Sequence, residues 1–579
     1  MLELTGVSLS LDVDFDRSDG LAKHIAHLLK VDYRSISNVR LIKRSIDARK
    51  KTNVHFIATF QFELPKAQED ALLNRAQNYN FPKGVTLKQG KPYLPLQIPA
   101  CKSAVPPVVV GAGPAGLFVA LYLARAGMCP LLIEQGSPVE ERVKDVKELI
   151  EKGTLNPYSN IQFGEGGAGT FSDGKLTTNT KNPLTAHVLH WFVQAGAPAD
   201  ILWQAHPHLG SDKLPHIVRS MREEIKQLGG TVRFYTRLVG VNFDQGALQS
   251  IDVVCTQTSV QESTAASHKT APQAGKYETI RANQVILACG HSARDVFALC
   301  KSYGLAMEQK PFSIGVRIEH PQALINQAQW GPFAHHPTLG AAEYKLAVHL
   351  PNGRSVYTFC MCPGGEVVVA ASEEGGVVTN GMSAYARAGA NANSALLVNV
   401  DPKDFGSDDV LQGVYLQRDI EQAAFEAVCK AGGKPYQAPY QQVGSFLSHT
   451  ASRKTTKATR DNLFTNFQPS YARGVVPVSL DVIFPSFIVD ALKQALPLMG
   501  RKLKGFDHPS ALMIAPETRS SSPVRICRNK QFQAYWQGNI SSQSGLYPCG
   551  EGPGFAGGIM SAAVDGLKVA QALVQNQLS

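Results

Sequence analysis

A chain of 579 residues exceeds one average domain, and 44% hydrophobic with 18% charged residues is the balance of a folded protein with sizeable cores. The net charge of +10, from 57 basic and 47 acidic residues, is modest at this length and by its sign excludes neither an anionic small molecule nor a nucleic acid. Ten cysteines without a C-x-x-C pair exclude a disulfide scaffold, and MLELTGVSLSLDVDFD lacks the basic and apolar regions of a signal peptide, so a reducing, cytoplasmic setting is expected.

Residues 1–95 read as a small basic α+β domain. VSLSLDVDF alternates as a strand, and LAKHIAHLLKV carries Leu21, Ile25, Leu28 and Leu29 on one helical face. VRLIKRSI and NVHFIATFQFEL read as two strands about the turn DARKKT. A proline-containing linker covers residues 91–107. Residues 103–124 carry no charge, but three prolines and three glycines make them a buried strand and helix rather than a membrane span. VVVGAGPAGLFVALYLARAG and LLIEQG then give strand, helix and strand, and LPHIVRSMREEIKQLGG is an amphipathic helix leading into the sheet-like TVRFYTRLVGV. The Thr-, Ser- and Gln-rich stretch at 257–275 reads as a mobile surface loop, after which ANQVILACG resumes the sheet. Mixed strands and helices fill residues 311–504, and SGLYPCGEGPGFAGGIMSAAVDGLKVAQAL ends the chain as strand, loop and long helix.

The spacing G-x-G-x-x-G occurs three times. In a dinucleotide fold the first glycine makes a tight turn after a strand, the second admits the pyrophosphate, and the third lets helix and strand pack closely. Gly111, Gly113 and Gly116, with Pro114 and Ala115 between them, have that context: a Val108–Val110 strand before, a helix after, and Glu134 about twenty residues on to accept from a ribose hydroxyl. The match at Gly552, Gly554 and Gly557 leaves only 22 residues after it, too few for a second βαβ unit, although a helix N-terminus there can still face an anion. The match at Gly164, Gly166 and Gly169 has neither a buried strand before it nor a helix after it. Its glycines serve either a close approach of backbone to something flat or anionic, or a loop with several positive φ angles.

Together these stretches resemble the FAD-dependent oxidoreductases of the glutathione-reductase-like superfamily. On that resemblance VVVGAGPAGL and LLIEQG are the FAD fingerprint, and GLYPCGEGPGFAGGIMSAA is the late flavin motif. Gly550, Glu551, Gly557, Gly558 and Ile559 would then lie along the cofactor, with the helix N-terminus at the flavin's pyrimidine side. GEGGAGTFSDGKLTT resembles the loop under the isoalloxazine ring in members without a redox disulfide, which adds Gly166, Gly167, Gly169, Thr170 and Ser172 to the cofactor contacts. More narrowly, NIQFGEGGAGTFSDGKL, KPFSIGVRIEHP, CMCPGGEVVVAASEEGG and GFDHPSALMIAPETRSSSPVRI resemble a group of bacterial FAD-dependent (NAD/FAD-utilising) dehydrogenases with no settled reaction. The resemblance implies an α/β fold: a doubly wound Rossmann-type FAD-binding domain at 104–309 and 505–579, an inserted α+β substrate domain at 310–504, and the small N-terminal domain at 1–95. It implies an FAD-dependent, dehydrogenase-type enzyme with hydride transfer at flavin N5, acting on a small and possibly anionic molecule. No second fingerprint is present, so NAD(P)H is expected only as a transient reductant.

Candidate chemistry outside the cofactor is thinner. His508 is a candidate proton donor near the ring, and Arg519, in the run Glu517-Thr518-Arg519, a candidate for substrate recognition; structural roles compete with both. Arg317, Arg387 and Arg418 suit a carboxylate or phosphate. Cys360 and Cys362 form a C-x-C that is either a redox pair or two small buried hydrophobes. His206-Pro-His208 and His335-His336 lack partners at ligand spacing, so no metal is expected. Six of the twelve residues at 40–51 are basic, which suits a solvated or packed hairpin, or an RNA-modifying protein's substrate grip. A flavin-bound protein without catalytic activity is the third reading.

Overall fold

The computed structural model describes residues 1–15, 17–76, 81–257, 275–448, 462–540 and 543–578. The loop expected at 257–275 falls almost wholly outside the described residues.

The N-terminal domain is a four-stranded antiparallel sheet in the order Ser37–Asp47, His55–Glu63, Leu2–Leu9, Thr86–Gln89. Helices Ser18–Leu29 and Lys66–Ala76 complete a β-α-β-β-α-β chain order. The sequence showed the first four elements, whereas the last helix and strand carry too few apolar residues to stand out. Phe56, Ala58, Phe60 and Phe62 alternate onto one face of the sheet and bury against Leu21, Ile25 and Leu29 of the first helix.

The next domain holds five parallel strands in the order Leu546–Pro548, Val285–Leu287, Val108–Val110, Leu131–Ile133, Thr231–Arg233. All three residues of each of the first three strands are buried, as expected for a sheet covered on both faces. From Val108–Val110 the chain builds outward on one side and later returns to build on the other. The order therefore reverses between Val108–Val110 and Val285–Leu287, and a crevice opens at the carboxyl ends of these two strands. The helix Pro114–Ala126, nearly all of it buried, packs along the C-terminal helix Ile559–Leu578.

The inserted domain, expected from the sequence to take the substrate, is built on a seven-stranded sheet, in the order Ala347–His349, Ser355–Cys362, Asn391–Val400, Phe312–Pro321, Leu512–Glu517, Ala438–Gln442, Val475–Pro477. Its central strand, Phe312–Pro321, is buried along its whole length. Strand Leu512–Glu517 corrects the boundary drawn at residue 505: it hydrogen-bonds between Phe312–Pro321 and Ala438–Gln442 and belongs to this sheet. The chain returns to the FAD-binding domain only at Val524–Ile526, which pairs antiparallel with Met307–Gln309 where the chain first left it. An apolar run such as ALMIAPE announces a buried strand but not which sheet receives it.

Candidate active site

The floor of the crevice is the turn between strand Val108–Val110 and helix Pro114–Ala126. The helix starts after Gly113 with no side chain capping it, so its first amides remain available to an anion lying over them. A Cβ at Gly116 would overlap the Gly111 carbonyl oxygen, so only glycine lets the helix sit this close to the strand. Glu134 is buried and ties three segments together. Its Oε2 accepts from the Ala112 amide at 2.8 Å, and its Oε1 from the amides of Gly136 and Gly164 at 3.0 Å each. A carboxylate has about four acceptor positions, which leaves one for a further donor such as a ribose hydroxyl.

The glycine loop is pinned to this turn. The Gly166 amide donates to the Ala112 carbonyl at 2.8 Å, and Gly167 begins a short 3-10 helix, Gly167–Phe171, whose first residue rests against the Gly113 backbone. Arg142, with no solvent exposure, holds the segment from beneath. It donates to the carbonyls of Asn160 (2.8 Å), Ile161 (2.9 Å), Glu165 (2.6 Å) and Gly164 (3.3 Å). Gly164 has φ of +113°, and a Cβ there would stand 2.5 Å from Arg142 Cδ, so both its conformation and its neighbour require glycine.

The C-terminal helix Ile559–Leu578 aims its start into the same crevice, with Gly557, Gly558 and Ile559 on the lining. Behind it the Gly550 amide donates to Asp565 Oδ2 at 2.8 Å, and Arg528 forks onto Asp565 at 2.7 and 2.9 Å. Glu551 faces the crevice with one oxygen 3.4 Å from His291 Nδ1, while His291 Nε2–H donates to the Arg519 carbonyl at 2.9 Å.

The opposite wall comes from the substrate domain, and the two enclose a cavity of about 1310 Å³. Cys360 and Met361 face it from strand Ser355–Cys362, beside Glu343, Lys345, Arg387 and Glu517. Lys175 and His206 reach it from the FAD-binding side. Arg387 forks onto the buried Asp173 at 3.0 and 2.5 Å. His206 hydrogen-bonds Glu343, which raises the imidazole's affinity for its proton; against the opposing effect of burial, this bond and the nearby Lys175 and Arg387 hold the Glu343 carboxyl down at about 2. Burial pushes the Glu517 carboxyl up to about 7 despite the Arg317 guanidinium 3.1 Å away.

Most residues singled out from the sequence meet here, and several do not. Gly111, Gly113, Pro114, Ala115, Glu134, Gly167, Gly169, Ser172, Glu551, Gly557, Gly558 and Ile559 line the cavity. Gly116, Gly166, Thr170 and Gly550 stand behind the lining: the Thr170 hydroxyl donates inward to the Glu165 carbonyl at 3.2 Å. His508, expected near the ring, lies off the cavity, its ring stacked on Phe464 with centroids 4.0 Å apart and its Nδ1 accepting from the Ser510 amide. It sits in the turn before strand Leu512–Glu517, and membership of that strand in the substrate sheet carries it away. Arg519 borders the cavity, but its guanidinium is committed to Glu421 at 2.9 and 3.0 Å and to the Ser372 hydroxyl at 2.5 Å. Arg317 is wholly buried, and Arg418 pairs with Glu373. Lys175 lies within the GEGGAGTFSDGKLTT stretch singled out from the sequence but was not itself named, and His291 and Glu343 reach the cavity from loops without a motif of their own; a histidine directly after the VILACG strand was the available signal for His291. The basic run at 40–51 is partly used in packing: the Arg44 amide donates to the Trp203 carbonyl at 2.7 Å, its guanidinium lies over the Trp203 ring, and Lys51 bonds Gln329.

An uncapped helix start, a second helix start lined by bare glycines and a buried acid with acceptor capacity to spare fit a dinucleotide's phosphates and ribose. They define a dinucleotide-binding site, and sequence comparison places it among the FAD-dependent oxidoreductases: residues 106–317 match the pyridine nucleotide-disulphide oxidoreductase family and residues 311–520 the family described as FAD-dependent protein, C-terminal domain-like. Residues 1–63 match a domain of unknown function. The chain belongs to the same family as an uncharacterized protein of Clostridium beijerinckii, with which it shares 41% identity over 575 residues, 99% of this chain and 98% of that one. Among solved structures it is similar to a variant of E. coli quinol fumarate reductase, at 11% identity over 83% of this chain and 71% of that one with a TM-score of 0.32. A flavocytochrome c3 fumarate reductase in its open conformation matches at 12% identity over 83% and 79%, with a TM-score of 0.33. Overlaps this loose transfer no residue roles. Among the described residues no helix is long and apolar enough to cross a membrane.

Proposed function

We propose that this FAD-dependent oxidoreductase is a dehydrogenase of the glutathione-reductase-like kind, acting on a small anionic molecule that enters between the glycine loop and strand Ser355–Cys362. The supporting observation is the cavity itself, walled on one side by the dinucleotide-binding loops and on the other by charged side chains of the substrate domain. FAD, when bound, supplies the two-electron acceptor. Gly111, Gly113 and the start of helix Pro114–Ala126 would hold its phosphates and Glu134 its ribose, and the start of helix Ile559–Leu578 would favour negative charge on the bound cofactor. Lys175 and Arg387 give the substrate end of the cavity its positive groups, beside His206, whose bond to Glu343 favours its protonated form, and Glu343 and Asp173 fix their positions. Glu517 holds or releases a proton near neutral pH on the same wall. NADH or NADPH would reduce the same flavin transiently, as an alternative to the anionic donor.

Anaerobic titration of the purified yellow protein against organic acids, amino acids, NADH and NADPH tests this reading. Bleaching of the flavin absorbance by an anionic donor is expected, with Lys175→Met weakening that donor's binding about tenfold, equivalent to about 1.4 kcal/mol. If dithionite bleaches the flavin and no donor does, the cofactor is a structural element and the reading fails.

A further inference from the structure

Strand Ser355–Cys362 departs from regular pairing where it meets the cavity. Its register with strand Asn391–Val400 breaks between Phe359 and Cys362, and Cys360, inside the break, adopts φ of +42°. A side chain other than glycine is rarely held in this left-handed region, and such residues gather at functional sites. The surroundings fix it there. Arg317, itself held by Asn393 and Glu517, donates to the Cys360 carbonyl at 2.9 Å and reaches Cys362 Sγ at 3.5 Å, while Lys175 donates to the Met361 carbonyl. Cys360 faces the cavity and Cys362, two residues on, is fully buried behind it. Both are free thiols, and Cys362 Sγ–H donates to the Cys360 carbonyl at 3.3 Å.

We propose that Cys360 and Cys362 form a dithiol that carries out thiol–disulfide exchange on a small anionic disulfide admitted to the cavity, with Cys360 the attacking sulfur and Cys362 the resolving one. The activity stands apart from the reading above, because the exchange is complete without the flavin. The Cys360 thiolate attacks one sulfur of R–S–S–R, forming Cys360–S–S–R and expelling R–S⁻, which takes the proton of Cys362. The Cys362 thiolate then attacks the Cys360 sulfur, closing the internal disulfide and expelling the second R–S⁻, which is protonated from solvent. Two cysteine sulfurs are oxidised and the two substrate sulfurs are reduced to thiols.

The electrostatics support this division of labour. The adjacent Cys362 side chain, helped by the nearby Lys175 and Arg317 charges, lowers the Cys360 thiol against the effects of burial and Asp173, whereas the adjacent Cys360 and burial raise Cys362. Cys289 lines the same cavity without such neighbours, and burial raises it well above the ordinary thiol range. Lys175 and Arg387, both on the cavity lining, favour a disulfide that carries carboxylates.

The test uses the flavin-loaded protein at neutral pH with two probes, the dicarboxylate Ellman's reagent and the uncharged bis-hydroxyethyl disulfide. Acid-quenched samples are digested without reductant and read by mass spectrometry on the segment between Arg354 and Arg387, which contains both cysteines. In the wild type this segment should lose two hydrogens and retain no probe, at least ~10-fold faster than the exposed Cys129 and Cys429 are labelled. Cys362→Ser should trap the probe on Cys360. Cys360→Gly, which suits the left-handed backbone, should leave the segment unmodified while flavin absorbance and unfolding midpoint match the wild type. Labelling of Cys129 or Cys429 first, or a folded Cys362→Ser variant without the adduct, would overturn the proposal. Equal rates for the two probes would overturn its anionic specificity.

Discussion

Arg142 shows how much of the site depends on a side chain that never meets the cavity. Burial pulls its pKa down to about 10, so it remains a cation at neutral pH while satisfying four carbonyls of the segment that leads into the glycine loop. Arg142→Met keeps the length of the side chain and leaves those carbonyls without their donor. The expected cost is roughly 3 kcal/mol or more, with weaker flavin retention, measured by urea unfolding followed through flavin absorbance. In the sequence this arginine stands in the strongly charged stretch VEERVKDVKELIEK. Its position was nonetheless informative, because Arg142 lies three residues after Val139 and four before Val146, on the face that the helix buries. The fingerprint glycines were easier to read, since each answers a requirement set by residues within a few positions of it. Cys360 was legible only as half of a C-x-C, because its left-handed backbone depends on a break in pairing with a strand some thirty residues later.

At the level of elements, one carboxylate locks the substrate domain to the FAD-binding domain. Glu421, on helix Gln412–Lys430, takes charged hydrogen bonds from Arg294, at the start of helix Arg294–Ser302, and from Arg519, just beyond strand Leu512–Glu517, together with the Thr518 hydroxyl. Against the cost of burial, the two guanidiniums hold its pKa down at about 2. Glu421→Gln leaves two buried cations facing a neutral amide, and a loss of about 3–5 kcal/mol is expected, read as a lower midpoint in thermal unfolding. The same network explains why Arg519 is no substrate anchor. Sequence reasoning had no access to it: the three charged partners come from distant segments, and each alone looks like an ordinary surface residue. The strand Leu512–Glu517 escaped assignment for a related reason, since its sheet neighbour Phe312–Pro321 lies about two hundred residues earlier.

Across the whole molecule the N-terminal domain reaches both of the others. Arg44 forms a parallel bridge with Gln204, and its guanidinium lies 4.6 Å from the Trp203 ring centre and 5.0 Å from that of Phe56. His336 and Thr338 of the substrate domain contact Asp12 and Leu11. Gln204, Ala205 and His206 also line the cavity, so the basic domain props the wall that carries a proposed substrate contact. Arg44→Ala should cost about 1–2 kcal/mol of this docking and expose the linker at residues 91–107 to limited proteolysis, while the backbone bridge and flavin absorbance persist. Changes of sequence character along the chain suggested three domains. The contacts that join the domains were not visible there, because they run through main-chain atoms and through aromatic faces whose spacing carries no periodic signal.

Glu134 gathers the amides of Ala112, Gly136 and Gly164 through bonds made wholly within the chain. A cradle tied by its own carboxylate should need little rearrangement to receive FAD. Stripped protein is then expected to regain its cofactor at a rate proportional to the FAD supplied, and a rate that levels off as FAD rises would show instead that the loops assemble slowly after contact.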